Sequence, residues 1–203
     1  MDLFKSQKMV QLDMTRPIWD RIFTVAPLVV IGTKEGEEYD LAPKHMATPL
    51  GFDNFFGFVC TPDHSTYGNI EKAGEFSVSF PLPDQVIMSS LAASPRCDER
   101  SKSKSILNDL PLMMAPSIDA PLLASSYLYL ECSLFKIIDG FWTNSLICGE
   151  IIGAYAQEDY IRQSDVDPQE QLFKHPLLAY IATGRYAEIK ETHAFPFPKD
   201  FKR

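Results

Sequence analysis

The chain has 203 residues, of which 45% are hydrophobic and 23% charged, enough apolar surface to build a core without disulfides or a structural metal. Its formal net charge of -8, with an isoelectric point near 5.0, speaks against broad nucleic-acid binding, which leaves a basic face. Cys60, Cys97, Cys132 and Cys148 stand far apart with no zinc-type spacing, so reduced and mostly buried thiols are expected and no metal site, although a pair could still meet in space.

Aromatic residues at 12% lean toward a β-rich core. Residues 1–20 read as an arm, because Arg16-Pro17 interrupts any helix and the apolar positions lack a period. No signal peptide or membrane-spanning run is visible, so we expect one domain over residues 1–203, in the cytoplasm and without membrane contact. Ala26 to Thr33 is a continuous apolar run, the pattern of a strand buried on both faces, and Lys34 to Glu37 supplies a hairpin turn. After Ala42 to Thr48 and a turn at Pro49-Leu50-Gly51, Phe55 to Cys60 reads as a buried strand. Ser65 is the candidate N-cap of a short helix that stops at Gly74.

Glu75 to Phe80 alternates as a half-buried strand closed by Pro81 and Pro83, and Asp84 to Ala93 reads as a helix. Ser94 to Ser105 turns polar and basic, with a second helix starting inside it and ending before Pro111; Leu110 to Pro121 reads as a long irregular loop. Tyr127 to Ile138 and Leu146 to Ala156 are two longer strands joined as a hairpin. Glu158 to Lys174 is an acidic surface excursion containing a short helix. Gly184 to Lys190 is the last strand, before a tail over residues 191–203 in which Phe195-Pro196-Phe197-Pro198 cannot be helical. About six short strands without strict βαβ alternation favour an antiparallel barrel with a few flanking short helices.

The common dinucleotide, P-loop, zinc-protease and nucleophile-elbow signatures are absent, so function must rest on subtler groups. Two segments flank the Phe55 to Cys60 strand. In Ala42-Pro43-Lys44-His45-Met46-Ala47, Lys44 and His45 can meet an anion or a ring edge, and the small alanines let the backbone approach a planar ligand. In the other, Ser65, Thr66 and Asn69 lie at a helix start, where hydroxyls and free N–H groups can hold a phosphate. Taken singly, each has a plainer reading as a capped helix, a solvated Lys or a satisfied His; their pairing about one strand favours a cradle. Lys104, with Arg100 and Lys102, can add charge to a phosphate or form a solvated helix face. His175, and Arg185 with Tyr186, are candidates for pocket walls or for ordinary surface and core roles. Trp142 can stack on a ring or pack against a partner chain.

The order of these pieces, from Ala26 to Ile189, resembles the flavin reductase-like family of FMN-binding split barrels. The resemblance lies in Pro27 to Thr33, Leu41-Ala42-Pro43, Ser65 and Thr66 followed by Asn69-Ile70, Gly74 to Val78, Tyr129 to Cys132, and Ile147 to Ile151. It implies a six-stranded antiparallel Greek-key split β-barrel, a homodimer, and FMN held noncovalently near the dimer interface. It also implies an oxidoreductase that uses NADH or NADPH to reduce the flavin and passes electrons to a small-molecule or protein acceptor. The alternative is a flavin-binding electron carrier or sensor without turnover. By similarity, Ala42 to Ala47 line the flavin ring, while Ser65, Thr66 and Asn69 sit at the phosphate. This chain departs from the family in having His45 where many members have Ser. It also has Thr143 and Asn144 where many place a His, so no catalytic residue is assigned.

Overall fold

A computed structural model of the chain describes residues 6–96 and 104–199. Its largest sheet is antiparallel throughout and runs β3 (Glu38–Lys44), β2 (Val29–Glu35), β6 (Glu75–Phe80), β9 (Leu128–Phe141), β10 (Asn144–Ala156), β5 (Phe55–Cys60), β4 (Ala47–Pro49). The two edge strands, β3 and β4, are joined through His45 and Met46 alone. Such a link spans roughly 10 Å at full stretch, so the sheet has to curl until its edges nearly meet. The expected mainly β split barrel is therefore present; the three-residue β4 at its edge brings the sheet to seven strands.

Inside the curl, Phe56, Phe58, Phe76, Ile31 and Ile147 are fully buried, with Phe58 and Phe76 edge to face at 5.5 Å. Each such side chain contributes about 1.5–3 kcal/mol on burial. Helix α1 (Ser65–Ala73) connects β5 to β6 and sends Ile70 into the same core. It stops at Gly74, whose φ of 74° is the left-handed conformation that glycine adopts without a Cβ clash, and the Gly74 N–H donates to the Ile70 carbonyl.

Several elements differ from the sequence expectation, each through a tertiary partner. The run expected over Ala26 to Thr33 is split at Leu28: β1 (Thr24–Pro27) leaves the barrel and pairs with β11 (Leu177–Ala182), which pairs with β12 (Arg185–Ile189). The segment expected as a loop over Leu110 to Pro121 contains β7 (Leu112–Met114), which pairs with β8 (Pro121–Leu123). That hairpin covers the outer face of β6. Ser77 and Ser79 are consequently buried, Ser77 donating to the Pro121 carbonyl and Ser79 accepting from the Leu123 N–H at 3.0 Å, so β6 is not half-exposed. Gly32 permits the same contact, since a Cβ there would collide with the Pro121 carbonyl.

After β6, a 3-10 turn at Pro83–Gln85 leads into α2 (Val86–Leu91). The second helix expected within Ser94 to Ser105 falls largely on residues 97–103, outside the described residues; beyond them there is a 3-10 turn at Ser105–Asn108. Helix α3 (Pro168–Lys174) is capped by Asp167, whose carboxylate accepts from the Gln169 N–H at 2.7 Å. Among the described residues no helix is long and apolar enough to cross a membrane.

Candidate functional site

The end of β3, the start of α1 and the segment after α2 enclose a cleft of about 480 Å³. It is lined by Ala42, Pro43 and Lys44 on one side, Ser65 and Thr66 on another, and Ala93 to Arg96 opposite, with Asp40 and Lys104. Pro43 suits an edge strand, where a missing N–H leaves no ladder bond unmade.

Helix α1 opens toward this cleft without a conventional cap. His64, not Ser65, is the N-cap residue, and it makes no side-chain capping bond; Ser65 is the first helical residue. The first turn holds no acidic side chain, so the positive end of the helix dipole is not offset from within the helix. Lys44 adds to it: its Nζ donates to Cys60 Sγ at 3.5 Å and has no carboxylate partner among the described residues. Asp63 is also in the lining, at an exposed position.

Lys104 is spent differently. Its Nζ donates to Asp40 Oδ1 at 2.7 Å, to the Leu41 carbonyl at 2.6 Å and to the Ala92 carbonyl at 2.8 Å, which uses all the donors an ammonium has. Arg96 bridges Glu35 Oε2 at 2.7 Å and Asp40 Oδ2 at 3.6 Å. These two cations are balanced by two buried or half-buried carboxylates, and Lys104 ties the segment after α2 to β3. It is neither a solvated face nor a free phosphate donor. Its neighbours Arg100 and Lys102 lie outside the described residues.

The remaining candidates separate. Asn69 Nδ2 donates to Thr33 Oγ1 at 3.0 Å, fastening α1 to β2 outside the cleft lining. Ala47 is buried in the barrel core. Met46 is half exposed, and its carbonyl accepts from the Val59 N–H at 2.8 Å. His45 lines a neighbouring cleft that shares Pro43 and Ala93 with the first, and its ring stacks on Tyr180 at 4.5 Å. Burial, then the charge of Lys44, pushes the His45 pKa below its ordinary value, so the imidazole is neutral at neutral pH. Burial also raises the Cys60 thiol, against the opposing pull of Lys44.

Asp40, Ala93 and Tyr180 were not singled out from the sequence. Asp40 had a weak signal as an acid set among apolar strand residues; Tyr180 had none once β11 was missed. Thr143 and Asn144 occupy the β9–β10 hairpin end, where Asn144 Oδ1 accepts from Thr61 Oγ1 at 3.2 Å.

The fold is shared with known proteins. A 2-nitrobenzoate 2-nitroreductase from Pseudomonas fluorescens superposes with a TM-score of 0.76 at 18% identity, covering 96% of this chain and 99% of that one. An FMN-binding protein from Thermus thermophilus gives 0.71 at 21% identity over 91% and 98%, and a flavoredoxin from Methanosarcina acetivorans gives 0.70 at 20% over 94% and 96%. The sequence model described as flavin reductase like domain matches residues 22–189. This chain belongs to the flavin reductase-like domain family.

Proposed function

We propose that the chain is an FMN-dependent oxidoreductase that takes electrons from NADH or NADPH and passes them to a small-molecule or protein acceptor. The observation that carries this reading is the make-up of the first cleft. Lys44, Ser65, Thr66 and the uncapped start of α1 line it together with Ala42 and Pro43, and His45 lines the cleft that adjoins it at Pro43 and Ala93. An anion-friendly group of donors beside small, flat backbone suits a ring with a phosphate tail. Ser65 and Thr66, with Lys44, would hold the phosphate, and Ala42 to His45 would lie along the ring.

Bound flavin supplies the hydride and electron chemistry. The chain's own groups bind, orient and tune. His45, held neutral, can offer one ring nitrogen as donor and the other as acceptor without adding charge. Asp40, Arg96 and Lys104 hold the segment after α2 against β3, fixing the width of the cleft. The name of the Thermus relative favours FMN. A homodimer fits the exposed Phe135 and Phe141 of β9, Ile152 of β10 and Trp142 in the turn between them, which a second copy would cover, and we place it in the cytoplasm.

The test is a visible absorption spectrum of the protein reconstituted with FMN, before and after NADH or NADPH without oxygen. Retained flavin that bleaches with one nucleotide is the expected result. Retained flavin that neither nucleotide bleaches would move the assignment to a carrier or sensor, and failure to retain any flavin would remove the cofactor reading.

A further inference from the structure

Helix α1 is fastened to the barrel by different residues in its two halves. In the second half Ile70 enters the core and Asn69 Nδ2 donates to Thr33 Oγ1 at 3.0 Å. In the first turn, Ser65 to Tyr67, the one side-chain hydrogen bond among the described residues is that of Tyr67, whose hydroxyl donates to Asp139 Oδ1 at 3.1 Å. Asp139 lies near the end of β9, and the same oxygen accepts from Ser145 Oγ at 2.6 Å. Ser145 is fully buried in β10, so a residue held in the barrel sets where the carboxylate stands.

The chain leading into α1 is tied to the same hairpin. Thr61 Oγ1 donates to Asn144 Oδ1 at 3.2 Å, the Thr61 carbonyl accepts from the His64 N–H at 2.9 Å, and the His64 carbonyl accepts from the Tyr67 N–H at 3.0 Å. Residues 61–67 are thus clasped at both ends to the β9–β10 hairpin, by Asn144 and by Asp139. Between those ends stand Ser65 and Thr66, which line the first cleft. Neither of their hydroxyls has a hydrogen-bond partner among the described residues, although Thr66 is only 2% exposed. A hydroxyl kept so far from water is costly without a partner, and an anion in the cleft would supply one.

We infer that Asp139 is a positioning residue: through Tyr67 it sets the start of α1 so that Ser65 and Thr66 present their donors to an anion in the first cleft, while Asn144 holds the preceding turn. This rests on the phosphate reading of that cleft. Asp139, Asn144 and Ser145 do not line the cleft themselves, so each acts through α1 or the turn before it.

The test compares FMN with riboflavin, which lacks the phosphate, in fluorescence titrations of the whole chain, and adds backbone ¹⁵N relaxation of the flavin-free protein. Asp139→Ala and Tyr67→Phe should each weaken FMN about fivefold, the worth of one hydrogen bond, and leave riboflavin unchanged. The double variant should lose no more than either single one, because both remove the same bond. Loss of a negative charge by itself favours an anion, so weaker FMN binding by Asp139→Ala has the sign of lost position. Asp139→Asn, which keeps an acceptor oxygen, should restore FMN binding to the wild-type level. Asp139 is exposed and Tyr67→Phe keeps the ring, so these variants are expected to fold. Without flavin, the Ser65 and Thr66 amides should be ordered in the wild type and lose order in Asp139→Ala and Tyr67→Phe. Unchanged order at Ser65 and Thr66, additive losses in the double variant, or an Asp139→Asn protein as weak as Asp139→Ala would each overturn the assignment. A wild type that binds riboflavin as tightly as FMN would overturn the phosphate reading itself, and the relaxation data would still decide whether Asp139 holds α1.

Discussion

Lys104 Nζ lies 2.7 Å from Asp40 Oδ1, with the two side chains only 9% and 4% exposed, and this pair joins the segment after α2 to the edge strand β3. Removing one partner strands the other charge in a poorly solvated place. Lys104→Met should therefore cost about 3–5 kcal/mol in chemical denaturation, and Asp40→Asn somewhat less. The double variant should recover part of the loss, since neither charge is then left alone. Equal and additive losses would mean that the two residues do not act as a pair.

Much of the barrel was legible because its strands announce themselves locally. Phe55 to Cys60 is an apolar run bounded by turn residues, the part of the Ala26 to Thr33 run from Val29 onward forms β2, and Gly74 marks the end of α1. The pieces that were not legible depend on partners distant in sequence. Nothing in Leu177 to Ala182 says that Thr24 to Pro27 will lie beside it, and Ser77 and Ser79 look solvent-facing until the Leu112 to Leu123 hairpin covers them. For the site, the segments Ala42 to Ala47 and Ser65 to Asn69 stand out because both flank one strand, and of them Ala42 to Lys44, Ser65 and Thr66 meet in one cleft. What the residues spend themselves on was not visible: Lys104 on three buried acceptors, Asn69 on Thr33, His45 on Tyr180.

Gly32→Ala tests the covering hairpin. The added Cβ would overlap the Pro121 carbonyl and the Ser77 hydroxyl, and the first of these is backbone that cannot rotate away. A destabilisation of about 3 kcal/mol is expected in urea denaturation. A variant as stable as wild type would show that β8 can lift from β2 at little cost.

His45 gives the stability a pH dependence of definite sign. Its folded pKa lies below the ordinary 6.5 because of burial and Lys44, so the unfolded chain binds a proton that the folded site resists. The full contribution is present above the unfolded pKa and is lost as pH falls from there through the folded value. Thermal melts between about pH 7.5 and 5 should show this loss, and His45→Gln should flatten it. Lys44→Gln should raise the His45 pKa in an NMR titration, with a smaller change than burial itself produces.

Lys44 and Lys104 make opposite predictions for flavin. Lys44 has no acid partner and stands beside the start of α1, so it is the cation able to answer a phosphate. Lys44→Gln should weaken FMN about tenfold and leave riboflavin, which lacks the phosphate, nearly unchanged. The wild-type preference for FMN over riboflavin should shrink with added salt, as expected of a partly exposed charge. Lys104 has no donor left to give, so a folded Lys104→Met protein should keep that preference. If Lys104→Met abolished the preference and Lys44→Gln did not, the phosphate would have to lie at the Asp40 side of the cleft, away from α1.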